Sequence, residues 1–107
     1  MRAVHETIEG PCTIAEDIAL YGTVQGDATL RPGARFILHG TIMGNLIIEP
    51  GARAIIHGSV AGRITNNGGR VELFGIADGV ANTTQDAVTV IDPKAYVRGG
   101  RPDRQQA

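Results

Sequence analysis

From Gly22 to Ile64 nearly every even-numbered position is apolar or small: Val24, Gly26, Ala28, Leu30, Ala34, Phe36, Leu38, Ile42, Leu46, Ile48, Ala54, Ile56, Val60 and Ile64. The odd positions are mostly polar. A period of two with one dry and one wet face is the pattern of a β-strand, and no stretch here follows a helical period. The alternation lasts more than forty residues, whereas strands usually run to roughly 3–10. The chain therefore has to turn corners while keeping the same face inward, which describes a coil wound around a common core.

Compared with itself, the sequence repeats every eighteen residues, a spacing in the range of solenoids. Gly22-Thr23-Val24-Gln25-Gly26 returns as Gly40-Thr41-Ile42-Met43-Gly44, as Gly58-Ser59-Val60-Ala61-Gly62, and more loosely as Gly75-Ile76-Ala77-Asp78-Gly79. Pro32-Gly33-Ala34-Arg35 returns as Pro50-Gly51-Ala52-Arg53 and decays to Gly68-Gly69-Arg70, one residue short near Asn67. Pro presets φ and Gly accepts positive φ, so Pro32-Gly33 and Pro50-Gly51 suit the central positions of type II turns. The glycines at 22, 26, 40, 44, 58 and 62 mark two further corners per coil, where backbone bends or approaches its neighbour. Three sides of roughly six residues, each near 20 Å long, follow at about 3.3 Å per residue.

Residues one period apart should stack at about 4.8 Å, the spacing of paired strands. The inward columns are Val24/Ile42/Val60, Leu30/Ile48, Ala28/Leu46/Ile64 and Leu38/Ile56, with Phe36 over Ala54 as a large and small pair. An Ile42→Asp change is expected to abolish folding, because it buries a charge with no partner. After Asn67 the inward parity moves to odd residues, with Val71, Leu73, Ala77 and Ala81, then Ile91, Pro93, Ala95 and Val97. A one-residue deletion at a corner produces this; within a strand it would turn the dry face outward. Upstream, Cys12, Ile14, Ile18 and Leu20 keep the even parity, which starts the first coil near Ile8. The expected layout is an N-terminal segment at 1–7, a β-helix domain at 8–99 and a disordered tail at 100–107. The fold class is all-β, a single β-solenoid of about five eighteen-residue coils, irregular around Asn82 to Asp86.

Composition agrees with a thin aliphatic core. Hydrophobic residues form 42% of the 107 and aromatics only 4%, with no Trp and 15 Gly. Ten Lys and Arg against eleven Asp and Glu give a formal net charge of −1, so no long-range field recruits nucleic acid or an anionic membrane. No run approaches the roughly 20 apolar residues of a membrane span. The lone Cys12 and the lack of a basic, then apolar, leader point to the cytoplasm.

The two-glycine motif Gly22-Thr23-Val24-Gln25-Gly26-Asp27, its repeat Gly40-Thr41-Ile42-Met43-Gly44-Asn45, and the Pro-Gly-Ala corner between them resemble the repeats of the bactofilin family over residues 8–99. The resemblance implies a right-handed triangular β-helix that polymerises end to end into filaments of a bacterial cytoskeletal scaffold, without cofactor or nucleotide. A rival fold is the left-handed hexapeptide helix of acyltransferases. Aliphatic residues do recur every sixth position at Val24, Leu30, Phe36, Ile42, Ile48 and Val60. The glycine pair, however, marks one side of the triangle only, whereas a hexapeptide helix treats its three sides alike.

The candidate interaction face comprises Ile37, Ile55, His39 and His57, with Tyr21 and Phe74 close by and Met43 and Ile47 on the adjoining side. A column of outward aliphatics forms a stripe, and a stripe suggests a contact surface. His39 and His57 stack as neighbours, an arrangement that could share a metal or proton or serve acyl transfer; a third ligand is missing, and His5 falls outside the regular coils. Arg35 stacks on Arg53, like on like, where an external anion could intervene, and Arg31 faces Glu49. There is no nucleophile elbow, phosphate loop or buried carboxylate pair, so no enzyme activity, metal or cofactor is expected. Three readings remain: a scaffold that self-associates through its ends as a homo-oligomer or filament, a non-catalytic binding module of immunity or inhibitor type with one protein partner, and a hexapeptide acyltransferase-like enzyme.

Overall fold

The computed structural model describes residues 1–99, and within them every helix or strand assigned is a β-strand. The first coil contributes β1 (Arg2–Val4), β2 (Thr7–Glu9) and β3 (Cys12–Ile14), and the second β4 (Ile18–Leu20), β5 (Thr23–Gln25) and β6 (Ala28–Leu30). The third holds β7 (Arg35–Leu38), β8 (Thr41–Ile42) and β9 (Leu46–Ile48), and the fourth β10 (Arg53–Ile56) and β11 (Ser59–Asn66). β12 (Arg70–Leu73) and β13 (Ile76–Asn82) form the fifth, and β14 (Val88–Ile91) and β15 (Tyr96–Val97) begin a sixth. Side one stacks β1, β4, β7, β10, β12 and β14, all parallel. Side two stacks β2, β5, β8, the start of β11, the start of β13, and β15. Side three stacks β3, β6, β9 and the ends of β11 and β13, these two strands running round the corner between sides two and three.

Strand partners lie eighteen residues apart through the middle of the chain, as in Phe36 with Ala54 and Val24 with Ile42 with Val60. The result is the β-solenoid that the sequence indicates. Val24, Leu30, Leu38, Ile42, Ile48, Ile56, Val71 and Leu73 are fully buried, and Phe36 and Val60 are 1% exposed. A chain with only two Phe and no Trp thus fills its interior with columns of Val, Leu and Ile. Phe36 fits because its column partners above and below, Ile18 and Ala54, leave it room.

The corners follow from residue chemistry. Gly33 and Gly51 have φ of 82° and 84°, and Ala34 and Ala52 donate N–H to Arg31 and Glu49 carbonyls at 3.1 Å, which closes type II turns at Pro32-Gly33 and Pro50-Gly51. At Gly40 the backbone passes so close to the previous coil that a Cβ would overlap the Gly22 carbonyl oxygen, and Gly22, Gly58 and Gly75 repeat the arrangement. Gly26, Gly44 and Gly62 form the other corner. There Asp27 Oδ1 accepts from Asn45 N–H at 2.8 Å and Asn45 Oδ1 from Arg63 N–H at 2.9 Å, a side-chain ladder that ties coil to coil.

Four expectations need correction. The solenoid starts at Arg2 and not near Ile8: β1 pairs with β4 in the register Val4 with Leu20, so residues 1–7 belong to the first coil. That coil repeats after sixteen residues, because the corner from Ile14 to Ile18 is two residues shorter than that from Leu30 to Phe36. Asp17 Oδ1 there accepts the Arg35 N–H at 3.0 Å, the role that the Ala34 carbonyl plays for Arg53. Leu20 consequently lies one level in from the end, 1% exposed. A second residue is lost between Ala77 and Val80, where the register against β11 shifts; Val80, not Ala81, therefore continues the inward column of Ile64 and packs on the core. Pro93 is exposed, because it occupies the second position of a turn closed by Ala95 N–H to Asp92 carbonyl at 2.9 Å. The tail expected at 100–107 lies outside the described residues.

Candidate interaction surfaces

Each outward residue that follows the inner strand position of side one lands at the corner that leads to side two, before Glu6 in the first coil and before a glycine in the next four. Stacked coils bring these residues into a line: His5, Tyr21, His39, His57 and Phe74. Their rings form a continuous ladder, with centroids 4.9, 4.5, 5.3 and 5.1 Å apart and planes within 15° of parallel. His5, expected outside the coils, is the first rung, which the sixteen-residue first coil conceals at a period of eighteen. Each ring of the pair His39 and His57 is covered on both flat faces by its neighbours in the ladder, leaving edges to solvent. Among the described residues no group of three or more His, Cys, Asp or Glu is placed to hold a metal ion. The ladder is a stacking element, worth roughly 0.5–1.5 kcal/mol per pair beyond the area it covers.

On the adjoining part of side one, Ile37 stacks on Ile55 in β7 and β10, both half-buried, while Ala19 lies above and Glu72 below. Arg35, Arg53 and Arg70 form the parallel column beside them. Arg35 reaches Asp17 at 3.6 Å and Arg70 reaches Glu72 at 3.1 Å. Arg53, between them, makes no ion pair among the described residues. Met1, Phe36, Ile37, Ala54 and Ile55 with the three arginines and Glu72 line a shallow depression of about 240 Å³. Arg31 does pair with Glu49, at 3.4 Å. Met43, Ile76 and Tyr96 are exposed on side two, where the Thr23/Thr41/Ser59 column changes to Ile76 and Tyr96.

The interior also holds a polar site that the sequence reading did not single out. Asn66 continues the column Ile14, Leu30 and Ile48, yet it is fully buried. Its Nδ2 donates to the Val88 carbonyl at 3.0 Å and to Thr89 Oγ1 at 3.1 Å, and its Oδ1 accepts from Gly68 and Gly69 N–H at 3.2 and 2.8 Å. Thr89 Oγ1 in turn donates to Asn82 Oδ1 at 2.7 Å. Asn66 thereby satisfies the backbone of the shortened Gly68-Gly69 corner. The signal was available, since Asn66 falls at an even position of a column otherwise aliphatic. At the start of the solenoid, partial burial pushes the Cys12 thiol above its ordinary pKa.

Both ends present strand edges. β1, β2 and β3 pair on one side only, and so do β14 and β15 among the described residues. The inward columns run out to these edges at Val4, Ile8 and Ile14 on one end and at Ile91 and Val97 on the other.

Compared with known proteins, the chain matches no family model, no curated protein and no solved structure.

Proposed function

We propose that the protein is a structural, non-catalytic scaffold of bactofilin type, a right-handed solenoid that self-associates through its ends in the cytoplasm. The observation that carries this reading is the pair of open ends. A strand with unpaired N–H and C=O groups along one edge is a template for another strand, and here the aliphatic columns of the core reach the same edges. Joining two ends hydrogen-bonds the backbone and extends the core in one step, and repetition of that contact gives an open filament. The bactofilin-like glycine motifs add support from the sequence. Electron microscopy and sedimentation of the purified chain at micromolar concentration test it: filaments or a concentration-dependent series of oligomers are expected. A folded monomer at every concentration overturns it.

A second reading, a binding module, draws on the Ile37/Ile55 stripe beside Arg35, Arg53 and Arg70. An aliphatic stripe edged by an arginine column suits an acidic partner with apolar side chains. Arg53→Glu separates the two readings, because it alters capture of such a partner and leaves end-to-end assembly intact.

A further inference from the structure

Side one carries three outward columns on a flat face, and the face complements itself when a second copy is turned over onto it. We propose that side one is an interface between two copies of this chain, laid face to face and antiparallel about a two-fold axis between Ile37 and Ile55. The pairing does not involve the ends, and it commits to a second copy the face that the binding-module reading gives to an acidic partner.

The middle column runs Ala3, Ala19, Ile37, Ile55, Glu72 and Val90 through the six strands, so Glu72 is its one polar member. On one flank lies the ring ladder, which Asp92 continues beyond Phe74. On the other lie Asp17, Arg35, Arg53 and Arg70. Tyr21 and Phe74 leave 49% and 42% of their surface to solvent. Because the rings keep within 15° of parallel, successive coils hardly rotate, and the face is flat enough to mate along its whole height. Six strands at about 4.8 Å and five residues at about 3.3 Å make it roughly 29 by 16 Å, so a pair covers roughly 900 Å² in projection; side-chain relief brings this to the ~1,000 Å² of a specific interface.

The two-fold axis makes each column meet itself with its order reversed. In the middle column Ile37 meets Ile55 and Ala3 meets Val90 of the second copy. In the ladder Tyr21 meets Phe74, and His5 meets Asp92. In the arginine column Arg70 meets Asp17 of the second copy, and that carboxylate lies one coil from Arg53, which has no ion pair of its own among the described residues. Every arginine of the column then has a carboxylate within one coil, since Arg35 keeps its own Asp17 and Arg70 its own Glu72. Arg35 faces Arg53 only at the rim, where salt screens them. Other arrangements are worse, because like charges opposed across an interface are repulsive. An axis at Ile37 sets Arg35 on Arg35 and Glu72 on Ala3, and one at Ile55 sets Arg53 on Arg53 and Glu72 on Ile37. A parallel pair sets Glu72 on Glu72 in the middle of the face, and the arginines against the positive edges of the rings.

Sedimentation velocity and electron microscopy of the wild type and of Ile55→Lys test the pairing, with folding checked by circular dichroism. The wild type should form dimers, or filaments two solenoids wide where the ends also assemble. Ile55→Lys sets uncompensated cations at the centre of the face and should weaken pairing about a hundredfold, leaving monomers or filaments one solenoid wide. A wild type that is monomeric at every concentration, or whose filaments are one solenoid wide, overturns the pairing; the second result leaves the end-to-end scaffold standing. Discrete dimers that never extend overturn the scaffold and support the pairing. Orientation is read by cross-linking in a Cys12→Ala background, where chains carrying Ala19→Cys are mixed with tagged chains carrying Glu72→Cys and treated with a short bismaleimide. Packed sheets lie about 10 Å apart, within its reach, whereas these positions are separated by several coils in any end-to-end joint. Mixed cross-links are expected. Glu72→Cys chains that link to one another instead reveal a parallel pair and overturn the antiparallel one, as does the absence of any link in a protein that forms dimers.

Discussion

Asn66→Leu supplies the aliphatic residue that the column Ile14, Leu30 and Ile48 leads one to expect, and it sets two contributions against each other. Enclosing a leucine at a site with no solvent exposure favours the variant by about 1.5–3 kcal/mol. Against this, the four hydrogen bonds of Asn66 are lost, at about 1 kcal/mol each. Thr89 Oγ1 keeps Asn82, and Gly68 is only partly buried, so both have recourse to other partners. Gly69 N–H does not; its bond to Asn66 is buried, and an orphaned donor adds about 1–3 kcal/mol. The variant should therefore be less stable by about 2–5 kcal/mol. With a urea dependence of about 2 kcal/mol per molar, the midpoint followed by circular dichroism falls by about 1–2.5 M. A midpoint equal to or above the wild type would mean that the corner backbone finds other partners, and the assigned role of Asn66 would be wrong. Thr89→Val should be less damaging in the Asn66→Leu background than alone, since the pair shares a bond.

Gly40→Ala should destabilise by about 2–4 kcal/mol, through the overlap with the Gly22 carbonyl and disturbance of its 3.1 Å bond from Thr41 N–H. Gly51→Ala, with positive φ and open space around it, should be less damaging, about 1–2 kcal/mol; thermal melts of the two variants that rank in reverse order would refute the close-approach assignment. Ile42→Asp should leave no folded protein by circular dichroism, and a cooperative melt near the wild-type temperature would contradict the column packing. The raised Cys12 pKa means that the fold favours the neutral thiol, so this group's contribution is intact below the ordinary pKa of the unfolded thiol and is lost as pH rises through the higher folded value. Accordingly, iodoacetamide should label native Cys12 slowly at pH 8 and unfolded chain fast, and the loss of urea stability above pH 9 should diminish in Cys12→Ala; equal labelling rates would count against the burial.

Much of the fold was legible because the middle coils obey one period. Between Ile18 and Val60 the offset is constant, so sequence columns and spatial columns coincide, and the core residues could be named one by one. The misreadings all lie where a corner changes length. The corner at Ala15 to Asp17 lacks two residues, which keeps the parity of the alternation but hides the first coil and its His5 from a search at eighteen. The loss between Ala77 and Val80 restores even parity after the loss near Asn67 had removed it, and so Ala81 was chosen over Val80. Two opposite parity changes inside one coil leave too few residues for alternation to register. The ring ladder was half visible: four of its rungs were named together, but their face-to-face stacking depends on ring rotation at the corner, which spacing does not encode.

The stacking by pure translation has a consequence for how such a molecule can grow. A copy of residues 36–53 inserted after Arg53 would keep every inward position inward and every corner in line, though Phe36 would then meet its own copy where Ala54 now leaves it room. Length along the axis is therefore an adjustable quantity, altered by whole copied turns, whereas the girth is fixed by the width of one aliphatic layer.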